Sequence, residues 1–508
     1  MLQKLRNKLF AGLLGLTAFT SCEKIKNFGD TNVNPNGSTN PSTAFLMTNV
    51  LAGQSGLDFN AGYYVQYFTD PIYPNNALYS FTQAGIGDYS ASLMDLQNII
   101  NYNLDPATKD LSYVAGNGAN QNQIAICRIM KAYIYWRNSD VLGDIPYFQA
   151  LKGQEGIFSP AYDRQEDIYK DMIKELTEAV DQFDNNTQIP AMKGDIIYSG
   201  DREKWKKFGN SLRLLMAVRL SKKFPALGQY AAQQALLATD HPARIIETNA
   251  DNFTINYPGG VYSNPLATET QSGLSKTFTD ILNGMNDQRL SVFGARAFSG
   301  ANGNTPSNIG VPYGINAGDG ANFTAANPNW ARILVSSRRQ GNSPYVVVGA
   351  ASVLLARAEA IERGWIIGDA EVDYVNGVKA SFEQWDVPYV APTAFTWGAG
   401  AGVSEIGINQ YNSIPASSSA STTTNLQRIH LQQYIAWFPN ARQAWADWRR
   451  TGVPNLEATN FDLNSGAGIP RRYAYSTAQY STNGPNVEEA VSRMAGGDTQ
   501  DARVWWDE

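Results

Sequence analysis

The chain carries few of the residue types that catalysis recruits. Its only histidines, His241 and His430, lie far apart and belong to neither an H-E-x-x-H pattern nor a paired-cysteine metal pattern. There is no G-x-S-x-G elbow, and Gly398-Ala399-Gly400-Ala401-Gly402 lacks the lysine and following helix of a phosphate-binding loop, so it reads as a flexible turn. The carboxylate pairs Asp167/Asp171 and Glu175/Glu178 have helix spacing and read as a solvated face. A glycosidase would need two carboxyls about 5–9 Å apart in a cleft. No metal set and no cofactor motif is expected. The chain is instead rich in aromatic residues, at 11%, set beside asparagines. Rigid rings stack on flat apolar patches at low entropic cost and neighbouring amides give directional hydrogen bonds, which suits non-covalent capture of sugars or peptides. The densest group is Tyr63, Tyr64, Tyr67 and Phe68, followed by Tyr73, Asn75, Asn76, Tyr79 and Phe81. The first tyrosines sit at helical spacing and read as core. Tyr73 to Phe81 lie in a Pro/Asn-rich loop and are expected to face a ligand. Trp330 with Arg332, and Trp397 in its Gly/Ala loop, are further ligand-binding candidates, with simple packing as the alternative.

Such residues need a frame, and the helical periodicity begins near Asn122. There Cys127, Met130 and Ile134 share a face that Gly143 ends. From Asp163 to Asp184, Ile168, Met172, Leu176 and Val180 recur every four residues, and from Asp201 to Lys223 the stripe is Trp205, Phe208, Leu212 and Leu215. Trp205-x-x-Phe208-Gly209-x-x-Leu212 resembles the first half of a tetratricopeptide repeat. These starts lie about 40 residues apart, near the length of a helical hairpin, which predicts a short superhelical scaffold. Further helices are predicted over 348–363, 425–437 and 440–450. Between them run Gly/Asn/Ser/Pro-rich insertions at 53–90, 249–275, 299–330, 391–424 and 452–485, whose aromatics argue for ordered, functional loops. The predicted fold is all-α, a tetratricopeptide-like superhelix over about 122–240 and 345–450, with loop insertions forming a binding half.

The first 21 residues read as an export signal. Lys4, Arg6 and Lys8 precede an apolar run from Leu9 to Phe19, which is too short to span a bilayer as a helix of about 20 residues. Cys22 follows Ser21 and resembles the acylated cysteine of bacterial lipoproteins, the alternative being an ordinary signal that happens to hold a cysteine. Residues 22–41 read as a lipid anchor and polar tether, and 42–508 as one domain. Asp30, Asn32 and Asn34 resemble the start of a calcium loop, but Pro35 stands where that loop needs glycine. Cys127, the other cysteine, reads as a small core hydrophobe. A net charge of −6 with no basic stretch argues against nucleic acid.

Taken in order, several motifs resemble the SusD/RagB family of outer-membrane lipoproteins. They include Arg128-Ile129-x-Lys131-Ala132-Tyr133 with Gly143-Asp144-Ile145-Pro146-Tyr147, Lys204-Trp205-x-Lys207-Phe208, Gly310-Val311-Pro312-Tyr313-Gly314 and Ala358-Glu359-Ala360. Near the end come Ala444-Trp445-Ala446-Asp447-Trp448-Arg449-Arg450, Ile469-Pro470-Arg471-Arg472-Tyr473 and Arg503-Val504-Trp505-Trp506-Asp507. The resemblance implies a lipid-anchored protein of the cell outer membrane that binds a nutrient oligomer, glycan before peptide. It also implies delivery to a SusC-like TonB-dependent barrel, with the protein as the barrel's lid, and no enzymatic activity. The competing classes are a secreted carbohydrate-active enzyme and a non-binding helical scaffold. The tryptophans in these motifs read as structural.

Overall fold

The computed structural model describes residues 41–55, 57–80, 82–186, 188–390, 424–464 and 466–508. Cys22, Phe81 and Trp397 lie outside the described residues.

The every-fourth apolar stripe forms a helix where it was expected: Ile168, Met172, Leu176 and Val180 are all buried on one face of Gln165–Gln182. Asp201 starts the next helix by accepting the backbone N–H groups of Glu203 and Lys204 at 2.9 and 3.2 Å, while Gly143 ends the preceding one at φ +85°. The described residues contain α1 (Thr43–Ala52), α2 (Phe59–Tyr64), α3 (Ser92–Leu104), α4 (Asn120–Leu142), α5 (Gln165–Gln182) and α6 (Arg202–Arg219). They continue with α7 (Tyr230–Thr239), α8 (Lys276–Gly284), α9 (Leu290–Phe293), α10 (Ala317–Ala326) and α11 (Ala350–Glu362). The last are α12 (Ala370–Gln384), α13 (Asn425–Ala436), α14 (Ala441–Thr451) and α15 (Thr477–Ser492).

Packing follows chain order: α3 lies on α4, α4 on α5, α5 on α6 and α6 on α7. The frame then continues from α6 to α11, α11 to α12 and α13, and α13 to α14, which returns to α2 and α4. This is the expected all-α, tetratricopeptide-like stack, with one correction. The 40-residue spacing separates single long helices, so α4/α5 and α6/α7 are the hairpins, not three separate repeats. Gly209 explains how closely three helices meet, since a Cβ there would lie 2.9 Å from Val180 and 3.1 Å from Ile129. Cys127 is buried in this core as a free thiol, and desolvation raises its pKa.

Buried charges tie the ends of the frame together. Asp140 pairs with Arg219 at 3.0 Å and accepts the Trp506 indole N–H at 3.0 Å, which anchors the C-terminal motif to α4 and α6. Glu359 on α11 receives Arg450 of α14 at 2.8 Å, with His430 of α13 3.2 Å away. Burial alone would raise the Glu359 pKa, but the charges of Arg450, His430 and Arg363 outweigh it and hold the carboxyl well below the usual range.

The insertions are joined by very short strands. In a four-stranded antiparallel sheet, β1 (Phe68–Thr69) pairs with β6 (Gly273–Leu274), β6 with β8 (Arg332–Ile333) and β8 with β7 (Gly294–Ala295). Elsewhere β2 (Gln83–Ala84) runs parallel to β10 (Ala474–Tyr475), β3 (Ile145–Pro146) pairs with β4 (Tyr162–Asp163), and β5 (Phe253–Ile255) with β9 (Tyr345–Val348). Segments hundreds of residues apart thereby hold one another, and Thr43–Glu508 forms one compact unit.

Candidate functional site

Just after β1, the Asp70 carboxylate is buried and organises the next turn. Its Oδ1 accepts the backbone N–H groups of Ile72 and Tyr73 at 2.9 and 2.8 Å, and its Oδ2 accepts the Asn76 side-chain amide at 3.0 Å. Pro71 and Pro74 fix φ on either side, and Pro74–Ala77 closes a single 3₁₀ turn. Ala77 and Leu78 anchor this loop inward, leaving Ile72 and Tyr73 at 51% and 55% exposure with Asn75 and Asn76 also at the surface.

Two further segments dock on that loop. Gly320 of α10 sits so close that a Cβ would meet the Pro71 carbonyl oxygen at 2.4 Å, and the Tyr313 hydroxyl donates to the Tyr63 carbonyl at 2.6 Å. Gly314, at φ +63°, lies against Thr459, whose hydroxyl donates to its carbonyl at 2.8 Å. The Leu463 N–H then donates to the Leu78 carbonyl at 2.7 Å, and the Gln66 side-chain amide donates to the Glu457 backbone carbonyl at 2.6 Å. Three insertions, 66–80, 310–329 and 453–464, thus form one continuous ledge. It exposes Phe461 and Leu463, at 49% and 51%, together with Ile72 and Tyr73. Apolar side chains gathered on bonded loops rather than scattered singly mark an interaction surface. Phe461, Leu463 and the organising Asp70 were not singled out in the sequence. An aromatic in the polar run Asn460-Phe461-Asp462-Leu463-Asn464 was the available signal.

The other predicted residues are distributed differently. Tyr79 is fully buried at φ +59°, its ring 6.1 Å from Tyr64 and 6.4 Å from Tyr313, so the expectation of a solvent-facing ring is corrected. Trp330 is 4% exposed, and a Cβ on Gly273 would lie 2.4 Å from its ring. The Arg332 guanidinium lies 3.8 Å from the centre of that ring and donates through Nη1 to the carbonyls of Arg296, Pro328 and Trp330. Desolvation lowers the Arg332 pKa to about 10. Trp330 and Arg332 therefore lock the end of the insertion at 299–330 and offer no open stacking face. Tyr73, Asn75 and Asn76 alone of the described candidates remain on the ledge.

The carboxylate pairs are structural. Glu175 and Glu178 both pair with Arg128, and Asp171 accepts the Tyr147 hydroxyl at 2.9 Å. Asp181 holds His241 at 3.1 Å. No group of three or more His, Cys, Asp or Glu placed to hold a metal ion occurs among the described residues. A polar cavity of about 140 Å³ near the C-terminal end is lined by Asp144, Arg472, Arg493 and Trp505, where Arg493 reaches Asp144 at 2.7 Å and Arg472 reaches Asp498 at 2.5 Å. Among the described residues no helix is long and apolar enough to cross a membrane.

The molecule is thus a helical-repeat frame that carries an aromatic and amide-rich loop ledge. The chain belongs to the SusD-like family, described as starch-binding and associating with the outer membrane, whose profile matches residues 35–476. Its fold is similar to that of a SusD homolog from Bacteroides uniformis, at 28% identity and a TM-score of 0.71 over 92% of this chain and 99% of that one. A chitin-binding SusD homolog from Flavobacterium johnsoniae is similar at 25% identity and a TM-score of 0.71, over 92% of this chain and 98% of that one. Another relative, described as a chitin-binding protein, is 26% identical with a TM-score of 0.68, over 92% and 99% of the two chains. Curated proteins give no match.

Proposed function

We propose that this outer-membrane-associated protein binds an oligosaccharide on the ledge of residues 66–80, 310–329 and 453–464. It then hands the sugar to a SusC-like TonB-dependent barrel over which it forms the lid. Cys22 carries the lipid that anchors it to the cell outer membrane, facing the cell surface, and no bond in the cargo is broken. The observation that carries this reading is the exposure of Tyr73, Ile72, Phe461 and Leu463, with asparagine amides, on loops that are bonded to one another. Pre-organised rings stack on sugar faces without losing much side-chain entropy, and amides both donate to and accept from hydroxyls. The chitin-binding relatives support a glycan over a peptide as cargo. Calorimetric titration with neutral oligosaccharides of different linkages tests the reading. Saturable heat without released product supports it. Product release would favour the enzyme class, and no binding by any glycan or peptide would favour the scaffold class.

A further inference from the structure

The ledge has an unusual charge inventory. Segments 66–80, 310–329 and 453–464 contain no lysine and no arginine, yet hold Asp70, Asp319, Glu457 and Asp462. They also hold nine asparagines, of which Asn75, Asn76, Asn316, Asn322, Asn329, Asn455 and Asn460 are exposed. Three cations at the borders of these segments, Lys276, Arg332 and Arg471, are engaged elsewhere. Lys276, whose N–H donates to the Val311 carbonyl, pairs through its side chain with Asp280. Arg332 lies on Trp330, and Arg471 pairs with Asp507 at 2.6 Å.

Resting on the proposed site, we propose that the ledge selects uncharged oligosaccharides and rejects acidic ones, such as uronic-acid or sulfated glycans. A carboxylate or sulfate pressed onto this surface loses water without gaining a cation, and an ion desolvated without a partner is strongly disfavoured. Asp319 and Asp462, carried by the ledge itself, add repulsion that reaches over a Debye length of about 8–10 Å at ordinary salt. Hydroxyls and N-acetyl groups meet no such obstacle, because asparagine side chains satisfy both their donors and their acceptors. Electrostatics of this kind acts on choice between cargoes more than on raw affinity.

The test titrates the full chain in mild detergent with neutral hexasaccharides (chitin-, cellulose- and starch-derived), a hexagalacturonate and a sulfated hexasaccharide, at low and high salt. The expected result is saturable binding of at least one neutral sugar and at least tenfold weaker binding of both acidic ones, with the gap narrowing at high salt. The double variant Asp319→Asn/Asp462→Asn should narrow the gap severalfold by strengthening binding of the acidic sugars, and an unchanged gap at low salt would overturn the repulsion. If Tyr73→Ala weakens neutral binding but the acidic sugars bind as tightly as the neutral ones, the site stands and the selectivity is overturned. If Tyr73→Ala and Phe461→Ala leave neutral binding unchanged, the site itself falls and the selectivity with it. Binding of no neutral sugar, or tighter binding of a lysine-rich peptide than of every sugar, also overturns the proposal.

Discussion

At the scale of single residues, Tyr73 and Trp330 looked alike in sequence, since both are aromatics in Pro/Asn-rich stretches without core periodicity. Composition identifies a loop, but exposure depends on what the rest of the chain lays over it. Gly273 and Arg332 sandwich Trp330, while nothing within the described residues buries the Tyr73 ring beyond about half. The two should therefore respond oppositely to truncation. Tyr73→Ala is expected to lower affinity for a neutral oligosaccharide five- to tenfold, about 1 kcal/mol or more, with little change in melting temperature. Trp330→Ala is expected to lower stability by about 3–5 kcal/mol, as for other buried aromatics, read as a fall of several degrees in the thermal midpoint. Equal melting temperatures for the two variants would contradict this assignment. The Asp70 turn gives a second residue-scale prediction. Asp70→Ala orphans two backbone N–H groups in a part-buried loop, so a loss of about 1–3 kcal/mol of stability is expected together with weaker sugar binding. Unchanged chemical denaturation would show that the carboxylate does not hold the loop.

Helices with a long apolar stripe, such as α5 and α6, were legible because burial of one face imposes its period on the sequence, although α3, with Leu93, Leu96 and Ile99 buried, was not singled out. The two-residue strands were not, since Phe68-Thr69 or Gly273-Leu274 carries no periodicity and the pairing partner lies in a different insertion. Helices without an amphipathic stripe, such as α10 with its run of alanine and glycine, were also silent. That helix owes its place to a glycine: a Cβ at Gly320 cannot coexist with the Pro71 carbonyl at 2.4 Å. Gly320→Val should push α10 off the Tyr73 loop and weaken sugar binding by at least as much as Tyr73→Ala. The far-ultraviolet circular dichroism should stay near that of the parent, because the frame helices do not touch this contact. Among the frame helices, Glu359 makes a pH-dependent joint. Its folded pKa lies below the ordinary 4.5, so its stabilisation is fully present above that value and is lost as pH falls through the folded one. Removing it as Glu359→Gln leaves the buried Arg450 with Asp447, 3.3 Å away, as its remaining carboxylate, with an expected loss of about 1–3 kcal/mol near neutral pH. The difference between parent and variant should shrink on acidification below about 4.5, and denaturation curves at several pH values check the sign.

At the scale of the whole molecule, the ordered family motifs were the strongest signal because they are the joints of the frame. Trp445, Trp506 and Arg449 interlock around Asp140, far from them in sequence, so their identities are fixed by packing and not by cargo. Exposed loop residues such as Tyr73 and Phe461 carry no such constraint, so the sequence marks the frame more sharply than the ledge. The proposed lid role requires a membrane-held molecule, and the described residues supply no spanning helix. The two proposed attachments are the lipid at Cys22 and the barrel itself. These two sources separate experimentally. Cys22→Ser, expressed in a host that lacks the barrel, should move the protein from the membrane pellet to the soluble fraction nearly completely, because several acyl chains hold firmly and no spanning helix occurs among the described residues. In the native host, parent protein extracted in mild detergent should co-purify in stoichiometric amounts with a large TonB-dependent barrel, through an interface above about 1,000 Å². Retention of Cys22→Ser in barrel-free membranes after a high-salt wash would contradict the lipid anchor, and recovery of the parent as a lone monomer from native membranes would contradict the lid.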